Sequence, residues 1–331
     1  MTDAQTMRAR ADRIAEEVLL PAATAVDQAD RVPAEHLRLL ADEGFYGVAA
    51  PVDEGGLGVE DMATAGYLLE TLAGGCLATT LVWMQHHGAV LATAFSDKPS
   101  LRERWLSPLA RGQRRAGLAL AGLRPGRDAL RVRIVDGGYA LDGAVPWVSG
   151  WDMIDTILLG ARDADDLIHF FLLDATVSTT LAAELLDLVA MRASRTVTLH
   201  FADHFVAGDR LLDTQPFAEW ASGEAAGSAL NGFLALGVTS RCCRLLGPTE
   251  LDDELVAARG LLLAADAEKT PAARAVASEL ALRAAARLVV QTGSRAVLRG
   301  VAPERLLREA GALLVFGSRP LIRDALLDRL G

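Results

Sequence analysis

The sequence predicts a mainly α-helical protein with a central β-domain, and three observations support this. Apolar residues recur every three or four positions in the first and last thirds of the chain, which is the period of one face of a helix. Between these regions lie short runs that alternate in polarity and are rich in β-branched residues, as is typical of strands. Alanine and leucine are abundant, whereas aromatic residues make up only 5% of the 331 residues. This composition favours closely packed helices.

Residues 1–112 are predicted to form an N-terminal all-helical domain. Its helical period is interrupted at several polar or glycine-containing stretches, so several helices follow one another. One interruption, "PVDEGGLG", contains Pro51, which cannot continue a helix, and three glycines that permit tight turns. A packed loop is therefore expected between two helices there.

Residues 113–213 are predicted to form a small antiparallel β-barrel. The runs that alternate in polarity or are rich in β-branched and aromatic residues are bounded by Gly, Asp or Pro. They are "RAGLALAG", "LRVRIV", "YALDG", "TILLGA", "LIHFFLLD" and "TVTLHFADHFV". The stretch "LDGAVPWVSG" interrupts this pattern with a proline, a tryptophan and a serine.

Residues 214–331 are predicted to form a C-terminal antiparallel four-helix bundle. The helical period returns after Gln215 and continues to the end of the chain in long segments with short polar joints. Long helices joined in this way pack most simply side by side and antiparallel.

Charge and cysteine content exclude several classes of protein. The formal net charge is −10, without a clustered basic face, which argues against a nucleic-acid partner. The cysteines Cys76, Cys242 and Cys243 do not have metal-ligand spacing. The N-terminal stretch lacks the apolar run of a signal peptide, and no segment has the apolar length of a membrane span. We therefore expect a cytoplasmic protein without a metal site.

Several collinear segments resemble the acyl-CoA dehydrogenase family. Each is a weak signal alone, but they occur in the family's order over nearly the whole chain. They are "LADEGFYGVAAPVDEGGLG" (40–58), "RERWLSPLARGQ" (102–113), "LDGAVPWVSG" (141–150), "MRASRTVTLHFADHFVAGDRLL" (191–212) and "APERLLREA" (302–310). The resemblance implies FAD as cofactor, an acyl-CoA thioester as substrate, an electron-accepting protein as partner, and a homo- or hetero-oligomer.

By the same resemblance, Trp147, Val148 and Ser149 would lie beside the flavin ring. A flat apolar wall suits a flat ring, and a hydrogen-bond donor near N5 helps to hold the charge that arrives with a hydride. From the residues alone, Trp147 is better explained as an inward-facing strand residue that covers the core, because most aromatic side chains serve packing.

Other cofactor contacts depart from the family's pattern. Ala121 stands where a hydroxyl usually meets the flavin, although the backbone amides of Leu120 and Ala121 could still bond the ring edge. Arg124 or Arg127 would approach the pyrophosphate, or else both lie in solvent. In "QTGSRAV", the resemblance implies that three residues approach a neighbouring subunit's pyrophosphate: Gly293, Ser294 and Arg295.

The catalytic base of the family is a glutamate, and neither of its usual positions holds a carboxylate here. The first position falls on Phe316 or Gly317, and the second lies near Gly227. Glu224 lies one helical turn from the second position and is interpreted as a surface residue. The sequence therefore predicts no catalytic residue of its own.

Three functions remain open at this stage. The first is α,β-desaturation of an acyl-CoA by an FAD-dependent oxidoreductase whose homologous partner supplies the glutamate. The second is a flavin-dependent monooxygenase of the same fold, which needs no α-proton base. The third is a non-catalytic structural subunit that has lost the cofactor.

Overall fold

Two helical regions flank a sheet, in the order that the sequence predicts. The computed structural model describes residues 3–124 and 130–331, and within them every side chain except those of residues 3, 4 and 223–227. In this described chain, six α-helices precede the first strand and six follow the last one. The predicted fold class, helical at both ends with strands between, is confirmed.

Six described helices make up the N-terminal region. They are α1 (Asp3–Ile14), α2 (Leu20–Gln28), α3 (Ala34–Asp42), α4 (Met62–Gly75), α5 (Leu77–Ala94) and α6 (Pro99–Ala110). A π-helical turn connects α1 to α2. Helix α4 begins where the Asp61 carboxylate accepts a hydrogen bond from the Thr64 amide at 2.7 Å, which satisfies one of the amides left unpaired at a helix start.

Eight described strands form one sheet. They are β1 (Ala116–Ala119), β2 (Arg131–Val135), β3 (Gly138–Val148), β4 (Thr156–Arg162), β5 (Leu167–Asp174), β6 (Leu181–Leu185), β7 (Val197–Ala207) and β8 (Leu211–Pro216). The strand order is β6-β7-β3-β2-β4-β5-β8, with β1 parallel to β4.

The sheet differs from the predicted antiparallel barrel in two respects. Among the pairings of the described residues, none joins β6 to β8, so the strand order is open. In addition, β4 pairs in parallel with β1 and at one position with β2. The parallel pairing arises because β2 and β3 intervene between β1 and β4, and a parallel pair needs such a crossover connection.

Six described helices follow the sheet. They are α7 (Phe217–Gly227), α8 (Gly232–Leu246), α9 (Glu250–Leu263), α10 (Thr270–Thr292), α11 (Ala302–Leu313) and α12 (Pro320–Leu330). Helix α8 packs against α9, α10 and α11, whereas α12 packs on α10. The predicted boundary between residues 213 and 214 falls inside β8.

The two helical regions share one hydrophobic core, because α4 packs against α8. This contact is close: a Cβ added at Gly237 would lie 2.5 Å from the Glu70 carbonyl oxygen and 2.7 Å from the Ala73 Cβ. Glycine at position 237 lets the two helix backbones approach each other. The N-terminal and C-terminal helices therefore fold against one another rather than as separate bodies.

Candidate functional site

A β-bulge in strand β3 presents the predicted ring-contacting residues. Val145 pairs with Leu199 and Val148 with Val197, so β3 carries one extra residue between these two pairs. Pro146 lies in this interval and has no amide hydrogen for the ladder, which suits an irregular position. Bulges re-aim side chains, and this one turns Trp147 outward.

Trp147 is 49% exposed, although it belongs to the central strand β3. The packing interpretation, in which this indole covers the core from inside, is therefore not what the structure shows. The next two residues are buried: Val148 is 0% and Ser149 7% exposed. A flat, half-exposed apolar side chain thus stands two residues before a buried hydroxyl.

The backbone around this bulge is strained. Of the six non-glycine residues with positive φ in the described chain, four lie in residues 147–152 and 191–195: Trp147, Asp152, Met191 and Arg195. Each such residue costs on the order of 1–3 kcal/mol and persists only where the surrounding structure enforces it. Concentration of this strain in two short segments marks the region as a candidate functional site.

Backbone hydrogen bonds hold the two strained segments together. The Gly150 amide donates to the Ser194 carbonyl at 2.7 Å, and the Trp151 amide donates to the Arg195 carbonyl at 3.2 Å. The Arg195 guanidinium also pairs with Asp152 at 2.6 Å, so two of the strained residues stabilise each other. The bulge is therefore fixed by the second segment.

Three buried hydroxyl groups form a chain behind the bulge. Ser149 Oγ lies 2.8 Å from Thr196 Oγ1, which lies 2.8 Å from Ser194 Oγ. Ser194 is 0% and Thr196 3% exposed. Sequence reasoning identified Ser149 but missed the other two hydroxyls, because they are 45 and 47 positions away along the chain.

Leu120 and Ala121 lie at the junction of β1 and a 3-10 turn that spans Ala121–Leu123. This turn packs on β3, where Gly122 approaches the Ala144 carbonyl. The structure thus brings Leu120 and Ala121 to the strand that carries Trp147. The first amides of a short helix have no partner within it and are suited to bond a ligand.

Of the two loop arginines in the interpretation above, Arg124 is half-buried, whereas Arg127 lies outside the described residues. The other predicted cofactor contacts, Gly293, Ser294 and Arg295, are exposed in the 3-10 turn that follows α10. That turn packs on α10 and α11. Approach of these three residues to a neighbouring subunit therefore stays a prediction.

Gly317, one of the two residues on which the first base position is expected to fall, lies beside a buried arginine. Gly317 has φ +59°, and a Cβ added there would lie 3.9 Å from both terminal nitrogens of Arg274. Arg274 is 2% exposed. It donates to the Ser228 carbonyl at 2.9 Å and to the Phe316 carbonyl at 2.7 Å. This one side chain therefore joins the chain segments that contain both usual base positions.

The positive charge of Arg274 and of the arginines near it makes this region unfavourable for a group that must accept a proton. Burial lowers the pKa of its guanidinium to about 10, and the positive charges of Arg319 and Arg124 act in the same direction. A guanidinium remains protonated at neutral pH even so. Among the described side chains, no carboxylate is hydrogen-bonded to Arg274, and the side chain of Glu224 lies outside that part of the structure.

His86 of α5 serves packing. His86 is fully buried, its Nδ1 accepts from the Ala116 amide at 3.0 Å, and its Nε2 lies 3.1 Å from the Leu109 carbonyl. Because Nδ1 accepts, Nε2 must carry the hydrogen, and the ring is neutral. His86 therefore joins α5 to the end of α6 and to β1.

The ring end of a flavin fits the residues present. The half-exposed indole of Trp147 offers a flat face, and the Ser149 hydroxyl, two residues on, is hydrogen-bonded to Thr196. Such an arrangement can bind a planar heterocycle and donate one hydrogen bond to its edge. Among the described residues, no group of three or more His, Cys, Asp or Glu side chains could hold a metal ion.

No helix in the described part of the chain combines the length and apolar character needed to cross a membrane.

Comparison with known proteins finds similarity to acyl-CoA dehydrogenases. The profile of the acyl-CoA dehydrogenase N-terminal domain matches residues 1–113. The mitochondrial 2-methylacyl-CoA dehydrogenase of Solanum tuberosum is 25% identical over 217 residues, which cover 60% of this chain and 51% of that protein. The chain thus spans about half the length of the curated relatives it matches.

Solved structures share the fold over the whole chain. Butyryl-CoA dehydrogenase from Megasphaera elsdenii superposes with a TM-score of 0.87 and 17% identity, covering 99% of this chain and 97% of that one. The FAD complex of PigA gives a TM-score of 0.83 and 16% identity, with coverage of 100% and 98%. These likenesses show that the chain has the fold of the acyl-CoA dehydrogenases, and the N-terminal profile match is confined to residues 1–113.

Proposed function

We propose that this chain is an FAD-binding subunit of an acyl-CoA dehydrogenase assembly that carries out α,β-desaturation of an acyl-CoA thioester, and that a homologous partner supplies the catalytic base. One contrast supports the proposal. The strained bulge at Trp147 and Ser149 keeps a surface suited to the flavin ring, whereas Gly317 and its neighbour Arg274 offer no proton acceptor. The similarity to the 2-methylacyl-CoA dehydrogenase of Solanum tuberosum also supports an acyl-CoA substrate.

Each retained residue has a separate part in binding. The Trp147 indole would cover one face of the ring and exclude water from it, and the Ser149 hydroxyl would donate to the ring edge. The Leu120 and Ala121 amides would bond the opposite edge, and Gly293, Ser294 and Arg295 would approach the pyrophosphate of a neighbouring subunit's cofactor. When bound, FAD supplies the hydride acceptor of the reaction.

Proton removal is the step that this chain does not provide. Abstraction of an α-proton needs a carboxylate within hydrogen-bond reach of the substrate carbon, in a site where burial raises its basicity. Gly317 has no side chain, and the adjacent guanidinium of Arg274 already carries its proton. The glutamate must therefore come from another polypeptide.

A non-catalytic structural subunit is the second candidate, and one observation favours it. The substitutions extend from the base position to the cofactor contacts, where Ala121 has no hydroxyl and Gly293, Ser294 and Arg295 lie on an open surface. A chain that has lost its cofactor would tolerate both kinds of change. The strain around Trp147 argues against this candidate, because a chain that no longer binds a flavin ring would gain nothing from keeping it.

Expression of the chain alone and with its homologous gene neighbour tests the proposal. We expect a flavin absorption spectrum and turnover of an acyl-CoA, with an artificial electron acceptor, in the co-expressed assembly. The isolated chain should show little or no dehydrogenase activity because it lacks the base. Steady turnover by the isolated chain would contradict the proposal, and colourless protein in both preparations would favour the structural subunit.

A further inference from the structure

We propose that Thr196 and Ser194 act as positioning residues that fix Ser149 as a hydrogen-bond donor toward the N5 edge of bound flavin. This inference rests on the proposed function, since it takes FAD as the ligand at the bulge. It adds to that function a directional chain of three hydroxyl groups, which run from the protein interior to the ligand.

The three hydroxyls are spaced as a continuous chain. The oxygen separations are 2.8 Å between Ser194 and Thr196 and 2.8 Å between Thr196 and Ser149, which are ordinary O–H···O distances. Exposure increases along the chain, from 0% at Ser194 to 3% at Thr196 and 7% at Ser149. Ser149 therefore forms the end of the chain that is nearest to a ligand.

The hydrogen bonds among the three hydroxyls have one favoured direction of donation, because each hydroxyl carries a single hydrogen but can accept two bonds. In the described structure Thr196 is the hydrogen-bond partner of the Ser194 side chain. If Ser194 donates to Thr196, then Thr196 can donate to Ser149, and the Ser149 hydrogen is left for a ligand. In the opposite direction the hydrogen of the buried Ser194 hydroxyl would find no acceptor among the described residues, which is unfavourable.

The strained backbone holds the three hydroxyl groups in place. Ser194 and Thr196 flank Arg195, whose φ is +44°, and Ser149 follows Trp147, whose φ is +65°. The bond from the Gly150 amide to the Ser194 carbonyl fixes the two ends relative to each other. A hydroxyl held in this way loses little conformational freedom when it meets a ligand.

A donating Ser149 suits one redox state of the ligand. N5 of an oxidised flavin has a lone pair and accepts a hydrogen bond, whereas N5 of the reduced ring carries a hydrogen and does not accept one in the same position. The hydroxyl chain therefore stabilises the oxidised cofactor, which is the form that has to receive substrate.

Binding of FAD and of 5-deaza-FAD to the full-length apoprotein tests this inference. The 5-deaza ring has a C–H group in place of N5, so it keeps the shape of the flavin and loses the acceptor. Since a hydrogen bond contributes a net 1 kcal/mol or so, we expect the wild type to bind FAD about fivefold more tightly than the analogue. Thr196→Val removes the hydroxyl at nearly constant shape and should reduce this preference to about twofold or less.

Three further variants control for effects on structure. Thr196→Ser keeps the hydroxyl and should retain the preference, whereas Ser149→Ala removes the last donor and should abolish it. Thr239→Val replaces a buried hydroxyl that donates to the Ala235 carbonyl within α8, far along the chain from the bulge, and should leave the preference unchanged. Thermal unfolding of each variant reports any general loss of stability.

The outcomes separate this inference from the function on which it rests. If Thr196→Val keeps the full preference, or Thr196→Ser loses it, the positioning role is wrong while flavin binding stands. If the wild type binds FAD and the analogue equally, Ser149 does not donate to N5 and the inference is also overturned. If the wild type binds neither ligand, flavin binding by this chain and the inference fail together.

Discussion

At the scale of single residues, Trp147 carries backbone strain that burial does not offset. Its φ of +65° is unfavourable for a side chain with a Cβ, and 49% exposure means that the indole gains little from burial in return. Glycine or asparagine would fit this backbone at lower cost. Selection for stability alone would not keep a tryptophan at this position.

Trp147→Gly should therefore separate stability from cofactor binding. Glycine accepts the positive φ but has more freedom in the unfolded chain, so we expect the free energy of unfolding to change by no more than about 1 kcal/mol. Affinity for FAD should fall at least about tenfold, because the flat wall is removed. Urea unfolding and flavin titration measure the two effects. Trp147→Phe, which keeps a ring, should retain most of the affinity; equal affinity in the glycine variant would show that the indole does not contact the flavin.

His87 adds a pH dependence to stability. Its two ring nitrogens are buried and have no hydrogen-bond partner among the described residues, and its ring meets Trp83 edge to face at 4.7 Å. Burial lowers the pKa of His87 to about 4, so the folded protein holds this ring neutral in mild acid. The unfolded chain binds the proton at its ordinary pKa of about 6.5. Stability must then decrease as the pH falls from about 6.5 toward 4.

His87→Leu should make the protein less sensitive to acid. The wild type should lose about 2 kcal/mol more than this variant between pH 7 and pH 5, because leucine does not titrate. Urea unfolding of both proteins at the two pH values measures the difference. Equal losses in the two proteins would mean that His87 is protonated in the fold.

At the scale of elements, the contact between α4 and α8 depends on glycine. The Cβ of an alanine at position 237 would overlap the Glu70 carbonyl oxygen, 2.5 Å away, and would come within 2.9 Å of the Gly74 amide nitrogen. These neighbours are backbone atoms and cannot turn aside as a flexible side chain could. The two helices would have to separate.

Gly237→Ala should therefore destabilise the protein by about 3 kcal/mol through overpacking. Gly260 provides the matched control, since it lies within α9 and a Cβ there would meet no atom within 4 Å. Gly260→Ala should increase stability by roughly 0.5–1 kcal/mol, because alanine favours helix. Chemical denaturation measures the free energy of unfolding of both variants. A neutral Gly237→Ala variant would show that α4 and α8 can move apart without cost.

Sequence reasoning predicted the helices and strands because their periods are local properties of the chain. The irregularity of β3 could also be read locally, since Pro146 and Trp147 interrupt an alternating pattern. Contacts between distant segments could not be predicted from one sequence. Ser149 and Thr196 are 47 positions apart, and their hydrogen bond depends on how β3 and β7 are aligned. The parallel pairing of β1 with β4 depends in the same way on the path of the chain between them.

The base position was only partly predictable. The sequence showed that Phe316 and Gly317 carry no carboxylate. It gave no reason to select Arg274 from the other arginines, because its place beside Gly317 arises from the packing of α10 against the segment that follows α11. Its burial, at 2% exposure, is unusual for arginine and became evident only in three dimensions.

At the scale of the whole molecule, Arg308 ties all three regions together. It pairs with Asp27 of α2 at 2.6 Å and with Glu304 of its own helix at 2.6 Å, and it donates to the Val189 carbonyl before β7 at 2.9 Å. These partners raise the pKa of the guanidinium above its ordinary value. Asp27 is largely buried, and Arg308 is paired with its carboxylate.

Arg308→Gln should lower the free energy of unfolding by roughly 3 kcal/mol, because it leaves the buried Asp27 carboxylate without a cation. Arg323→Gln is the control, since its ion pair with Asp324 lies on the surface and should contribute less than about 1 kcal/mol. Equilibrium denaturation of both variants measures the difference. Similar stabilities for the two would indicate that the three regions are held together by their apolar contacts alone.

Gly317 also limits what a single substitution can achieve. A glutamate introduced there would adopt a backbone conformation that L-residues avoid, since φ is +59°, and its Cβ would come within 3.0 Å of the Asn231 side chain. The adjacent guanidinium would hold the new carboxylate as an ion and make it a weak proton acceptor. This one amino-acid replacement would yield a poor catalyst. A proton acceptor at this position would therefore require changes at both Arg274 and Gly317.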